Sequence, residues 1–277
     1  MLEIGKVQSL EVTKNVDFGV YLDGAQYGEI LLPKRYISTE LSPGDSVSVF
    51  IYFDSEDRII ATTEIPFAQV DECAYLEVKQ CTDFGAFLDW GLSKDLFVPF
   101  KEQTVKMKEG HSYCIKVLRD SVSDRIIASA KIDKYFLPVV PPYKAGEKVD
   151  VFVYDRTDLG YKVVVEHNFS GLLFENEIFE SIKTGDTKQA YIKQVREDGK
   201  IDVVLNKPGF SESKDLNTNI IEKLQQSSEG FLFFSDKTPP EKIYAAFGVS
   251  KKKFKAAIGM LYKQRKIIIE KEGIRLP

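Results

Sequence analysis

Histidine, cysteine and tryptophan are scarce in this chain. Its 277 residues include only two histidines, His111 and His167, three cysteines, Cys73, Cys81 and Cys114, and a single tryptophan. No two cysteines form a CxxC pair, and structural zinc normally needs four Cys or His ligands. The thiols are therefore read as packing or surface residues. No loop has calcium-binding spacing, which leaves scattered carboxylates as the only abundant metal-ligand type. No cofactor is expected. A nucleophile elbow, a phosphate-binding glycine loop and a metalloprotease motif are also missing. Those absences point to a binding protein rather than an enzyme. No apolar run reaches the roughly 18 residues that a membrane helix needs, so no membrane partner is expected. The opening Met1-Leu2-Glu3-Ile4-Gly5-Lys6 lacks the basic-then-apolar layout of a secretory signal. A cytoplasmic protein is the expectation.

Hydrophobic residues make up 43% of the chain and charged residues 29%, an ordinary soluble composition. The length suits two to four domains. The net charge of −4 conceals an asymmetry: residues 1–210 sum to −9 and residues 211–277 to +5. An acidic total argues against a nucleic-acid ligand, but a local basic surface can still bind phosphate.

The first two thirds repeat. Val16-Asp17-Phe18-Gly19-Val20-Tyr21-Leu22-Asp23 returns as Thr82-Asp83-Phe84-Gly85-Ala86-Phe87-Leu88-Asp89, and in diverged form as Thr157-Asp158-Leu159-Gly160-Tyr161-Lys162-Val163. Three further landmarks recur in the same order. The first is Ile30-Leu31-Leu32-Pro33, Leu96-Phe97-Val98-Pro99 and Gly171-Leu172-Leu173-Phe174. The second is a glycine turn at Gly44, Gly110 and Gly185. The third is a closing strand after Asp57-Arg58, Asp124-Arg125 and Asp198-Gly199-Lys200. A repeat at such a period is one supersecondary unit used several times. Each unit reads as about five short strands rich in β-branched and aromatic residues, separated by Gly and Asp turns. Five strands in 60–70 residues suit a small closed barrel of the OB type, which removes exposed sheet edges. The glycine of Phe-Gly is expected to permit a bulge or bend at a barrel corner.

The Asp-Phe-Gly-Ala-Phe stretch, the later Gly-Leu-like stretch and the closing Asp-Arg-Ile strand resemble the S1 RNA-binding domain. The domain order and the Leu-Leu-Pro variant resemble the conserved virulence factor B family over nearly the whole chain. That resemblance implies three S1-like barrels and a winged-helix domain. It also implies an RNA face of two aromatics flanking the Gly, a following histidine, and an Asp/Arg pair near the last strand. The corresponding positions in the first unit are Phe18, Tyr21, Leu32, Asp54 and Arg58. In the second they are Phe84, Phe87, Val98, Ser121 and Arg125, and in the third Leu159, Lys162, Phe174, Arg196 and Lys200. The histidine is missing from all three. The second unit lacks the acid at that position, and in the third Phe174 stands in for a lost stacking pair.

The aromatics have a physical case of their own. An exposed ring lets a base stack, at about 1–3 kcal/mol per base, and nearby Arg or Lys neutralises phosphate. Phe18 and Phe84 precede Tyr21 and Phe87 by three positions. Plain alternation would put the members of a pair on opposite faces, as core strand residues, unless a bulge at the glycine brings them together. Charge favours the second unit: residues 67–136 sum to −1, against −6 for residues 1–66 and −2 for 137–210.

A proline-rich stretch, Leu137-Pro138-Val139-Val140-Pro141-Pro142, separates the second and third units and should be stiff and extended. A second boundary falls near Lys207-Pro208-Gly209-Phe210-Ser211, beyond which the periodicity becomes helical. Leu216, Ile220, Ile221 and Leu224 form one stripe. Pro239-Pro240-Glu241 opens a second helix anchored by Ile243 and Phe247 and ended by Gly248. Ser250 caps a third, with Phe254, Ala257, Ile258 and Leu261 inward and Lys252, Lys255, Gly259 and Lys263 opposite. A short hairpin around Gly273 completes a winged helix-turn-helix.

The fold class expected is mainly β: three tandem five-stranded OB-fold (S1-like) barrels at 1–66, 67–136 and 142–209, then a winged-helix α/β domain at 214–277. Residues 250–266 carry seven Lys or Arg and no acid, which is either a solvated face or a phosphate-contacting helix, with Lys252, Lys255, Lys263 and Lys266 as candidates. No Arg or Asn is placed for bidentate base reading. The expected ligand is RNA, single-stranded, with a role in regulating gene expression after transcription implied by the resemblance. Two other readings stay open. One is a DNA-binding transcription regulator led by the winged helix, with duplex DNA as partner. The other is a protein-interaction scaffold.

Overall fold

A computed structural model describes residues 2–178, 180–206, 216–227 and 229–277. The chain divides into two compact units, Met1–Leu137 and Pro138–Pro277. The boundary expected near residues 207–211 lies outside the described residues.

The first unit contains two barrels. The first is built from β1 (Val7–Val16), β2 (Gly19–Asp23), β3 (Glu29–Pro33), β4 (Ser46–Phe53) and β5 (Ile59–Thr62), closed in the order β1-β2-β3-β5-β4. Closure uses one parallel contact, Leu31 opposite Ile60. The second barrel has β6 (Cys73–Cys81), β7 (Gly85–Leu88), β8 (Leu96–Pro99), β9 (Ser112–Arg119) and β10 (Ile126–Ser129), in the order β10-β9-β6-β7-β8. This one is nearly closed. The strands β8 and β10 lie side by side without a ladder. A short helical turn, Phe100–Glu102, bonds across that seam instead: the Glu102 carbonyl accepts from the Ala130 N–H at 2.9 Å, and its carboxylate accepts from Ser129 Oγ at 2.7 Å.

Alternation decides which residues face inward. In β3, Ile30 and Leu32 are buried, and in β8 Leu96 and Val98 are buried. The two barrels also share apolar packing. Phe50 and Tyr52 of β4 lie in one cluster with Leu76, Leu88, Trp90 and Ile115 of the second barrel. The Phe50 ring meets Trp90 edge-on at 5.4 Å. Backbone bonds cross the same junction, Val70 N–H to the Gly5 carbonyl at 2.9 Å among them.

The second unit holds the third barrel: β11 (Lys148–Thr157), β12 (Gly160–Val165), β13 (Phe169–Phe174), β14 (Thr187–Val195) and β15 (Ile201–Val204), closed in the same order as the first. It also holds the helical domain: α1 (Leu216–Gln226), β16 (Phe231–Leu232), α2 (Pro240–Phe247), α3 (Lys251–Lys263), β17 (Ile268–Ile269) and β18 (Ile274–Arg275). Pro240 opens α2, and Gly248 ends it in the left-handed conformation at φ 67°. The Ser250 hydroxyl accepts from the Lys253 N–H at 3.3 Å to cap α3. Ile220, Leu224, Ile243, Phe247, Phe254, Ile258 and Leu261 form the core. The wing is three-stranded, in the order β16-β18-β17, where the sequence pattern pointed only to the β17–β18 hairpin. Among the described residues no helix is long and apolar enough to cross a membrane, and no cluster of three metal-ligating side chains occurs.

Candidate nucleic-acid interface

The aromatic turns come first. Phe18, Phe84 and Leu159 sit just before β2, β7 and β12, and all three side chains are exposed, at 57%, 79% and 64%. Each is held by its backbone. The Phe18 carbonyl accepts from Lys34 N–H at 2.9 Å, that of Phe84 from Phe100 N–H at 3.3 Å, and that of Leu159 from Glu175 N–H at 3.0 Å. In the second and third turns a threonine adds a clasp. Thr82 Oγ1 donates to the Gly85 carbonyl, and Thr157 Oγ1 to that of Gly160. The first turn has Val16 there and no such clasp.

The intervening glycine does something other than expected. The register shifts fall on the opposite strand, between Val12 and Lys14, Val78 and Gln80, and Val153 and Asp155. Gly19, Gly85 and Gly160 pair regularly with Pro33, Pro99 and Phe174. A Cβ at these glycines would lie 2.2, 2.3 and 2.1 Å from the carbonyl oxygens of Leu32, Val98 and Leu173. Glycine is required because two backbones approach closely, not because the strand bulges there.

The flanking rings differ among barrels. Phe18 and Tyr21 meet edge-on at 6.4 Å, so the two members do share one side of the barrel. Tyr21 is half-buried, and the Lys14 ammonium lies 4.7 Å from its centroid. Phe87 is half-buried against Phe97 at 5.0 Å, while Phe84 projects freely. The third barrel has no aromatic pair. Phe174 carries Arg196 and Lys193 over its ring at 5.7 and 5.8 Å.

Register corrects the histidine positions. Leu32 and Val98 are fully buried core residues and cannot form part of a surface face. Phe174 stands opposite Gly160, where the other barrels have Pro33 and Pro99, so it lies one residue beyond them.

The loops before β5, β10 and β15 carry the charged candidates. Asp54 N–H donates to the Arg58 carbonyl at 2.9 Å, Asp120 to Arg125 at 2.9 Å, and Arg196 to Lys200 at 2.8 Å. Asp120, not Ser121, therefore occupies the Asp54 position, and the second loop is one residue longer. Asp54 grips Arg58 directly, with Arg58 Nε donating at 2.9 Å, and Glu56 takes another guanidinium nitrogen at 2.8 Å. Burial pushes the Asp54 carboxyl up, but bonds from the Arg58 backbone and guanidinium outweigh it and hold the pKa below the ordinary value. Asp120 instead accepts from Ser123, at 2.6 Å from its Oγ. Arg125 reaches across to Asp57 of the first barrel. The second barrel thus does have an acidic partner, supplied by its neighbour. In the third barrel Arg196 binds the buried Asp202, and Lys200 pairs with Asp198 at 3.2 Å.

On α3, Lys252, Lys255 and Lys263 are exposed, as is Lys266 beyond it. Lys255 lies 3.8 Å from Asp236. Lys252, Lys263 and Lys266 make no ion pair with any described residue, so three cations are presented to solvent. Sequence reasoning missed the participation of Phe97, Lys94 and Asp57 around the second barrel. Phe97 had a signal, since it alternates outward between Leu96 and Val98.

Residues 4–64 match the S1 domain family, and residues 218–276 match the CvfB-like winged helix domain. The chain is 28% identical to the Bacillus subtilis uncharacterized protein YitL over 96% of this chain and 91% of that one. It is 27% identical to conserved virulence factor B of Staphylococcus haemolyticus, covering 99% and 94%. A crystallised Streptococcus pneumoniae multidomain protein with nucleic acid binding domains is 24% identical, with 99% and 98% covered and a TM-score of 0.41. An S1 domain at one end, this winged helix at the other and relatives along almost the whole length make the chain similar to the conserved virulence factor B proteins.

Proposed function

We propose that this protein binds single-stranded RNA across its S1-type barrels, with the lysine face of α3 as an additional clamp, and so regulates expression after transcription. Binding, not catalysis, is its activity. One observation carries the reading most: two barrels hold a phenylalanine ring into solvent at the same position, each fixed by the same backbone bond. An exposed ring on a rigid strand end is a stacking platform that accepts any base. The S1 match supports the same conclusion. The second barrel is the strongest of the three. Phe84 is its most open ring, and Arg125 has a single carboxylate partner where Arg58 has two.

The test is binding of the full chain to a labelled single-stranded RNA, with unlabelled RNA and duplex DNA as competitors. RNA should compete strongly and duplex DNA weakly. Phe84→Ala should weaken binding about fivefold or more, from about 1 kcal/mol or more per lost stack. Equal affinity in the folded variant removes the ring from the interface. The transcription-regulator reading rests on Lys252, Lys263 and Lys266, which stand free of acids among the described residues. Preferential competition by duplex DNA would favour it.

A further inference from the structure

Between the first and second barrels lies a groove of about 440 Å³. Its walls are aromatic: Tyr52 and Phe53 come from β4, and Phe87, Trp90 and Phe97 from the second barrel. Phe84, the most exposed ring of the candidate face, also lines it, so groove and face are continuous. The polar groups are few and balanced in sign. Asp57 and Asp95 lie with Lys94 and Arg125, and the Arg125–Asp57 pair spans the two barrels. The Lys94 ammonium is fixed by the carbonyls of Phe53 and Asp54 at 3.0 and 2.7 Å.

This chemistry selects among the parts of a nucleotide. A phosphate needs uncommitted cations, whereas here Arg125 is paired with Asp57 and the Lys94 ammonium is engaged by two carbonyls. A nucleobase is neutral, planar and apolar on its faces, with donors and acceptors on its edge. Aromatic walls with a sign-balanced polar rim fit that description, and the volume is within the usual range for small-molecule sites. We propose that the junction groove takes an unstacked nucleobase, making the two barrels one composite site rather than two separate platforms. The proposal rests on the RNA-binding reading when the base belongs to a strand. A free nucleotide would offer the same chemistry.

Trp90 is the only tryptophan and lines the groove, so tryptophan emission reports from the groove wall. The experiment titrates the full chain with a labelled ten-nucleotide single-stranded RNA, with an abasic ribose-phosphate strand of equal length, and with the four nucleoside monophosphates. Anisotropy of the label measures binding, and Trp90 emission measures groove occupancy. Emission should change in step with RNA binding and stay constant with the abasic strand at matched occupancy. Phe53→Ala should lower RNA affinity about fivefold or more and reduce the emission change. Phe53→Leu serves if the alanine variant fails to fold. RNA binding with Trp90 emission identical to that of the abasic complex would overturn the groove and leave RNA binding intact. Emission changes with monophosphates but no RNA binding would keep the groove and reject the RNA reading. No response to any of these ligands would reject both.

Discussion

Single positions in the repeated turn divide cleanly between fold and ligand. Gly85 has no unusual φ, so its requirement is purely steric: a methyl there meets the Val98 carbonyl and the Phe97 ring. Backbone cannot swing away as a flexible side chain can. Gly85→Ala should therefore lower stability by about 1–3 kcal/mol, measured by urea unfolding of the full chain. Phe84→Ala should change stability by no more than roughly 0.5 kcal/mol, because the ring is 79% exposed. Phe87→Ala should cost more, on the order of 1–2 kcal/mol, because its ring packs on Phe97. The sequence reading treated these two rings alike, since spacing shows kinship but not how deep each ring sits. Asp54 offers a pH test. Its folded pKa is depressed, so its contribution is complete above the ordinary carboxylate value of about 3.9 and is lost as pH falls through the lower folded value. Asp54→Asn should remove about 1 kcal/mol at neutral pH and flatten the acid limb of stability between those two values. An unaltered limb would show that the Arg58 grip contributes nothing.

Elements were legible where many residues agree on one period. The core stripes of α1, α2 and α3, the Pro240 entry, the Gly248 stop and the Ser250 cap all lie where the pattern placed them. The wing strand β16 was not legible, because two residues show no period and its partner β18 is about 40 residues away in sequence. The Asp120 position was misread for a related reason: one extra loop residue shifts the match, and only the strand register restores it. The free lysines at α3 carry a prediction of their own. Lys255 is partly matched by Asp236, so Lys252, Lys263 and Lys266 form the better set. If each contacts a phosphate, replacing all three by alanine should lower the salt slope of single-strand binding by about 2, from roughly 0.7 per contact. The loss should be similar across RNA sequences, because phosphate contacts position rather than specify. An unchanged slope and affinity would make this a solvated face.

The three repeats suggest three independent modules, but the first two are not independent. Phe50 belongs by sequence to the first barrel and by packing to the second, where it is 1% exposed and meets Trp90 edge-on. Tyr52 joins the same cluster, and Val7 and Ile60 pack against it. The sequence could not show this, since an inward residue of β4 and one facing a neighbouring barrel read alike in a strand pattern. Cutting the chain after residue 66 would bare the Trp90 side of that cluster and remove the partners of Val70 and Gln69. The fragment 67–137 should therefore fail to fold, whereas 1–137 should unfold in one transition. Phe50→Ala tests the same coupling inside the intact chain. Its cavity would lie at the shared packing, with an expected cost of about 3–5 kcal/mol. Trp90 emission reports the second barrel, although the substitution lies in the first. If the barrels are one cooperative body, the Trp90 midpoint in urea should fall together with the far-ultraviolet dichroism of the 1–137 fragment. A Trp90 transition that stays at its original midpoint in Phe50→Ala, or a well-folded 67–137 fragment, would make the two barrels separate modules after all.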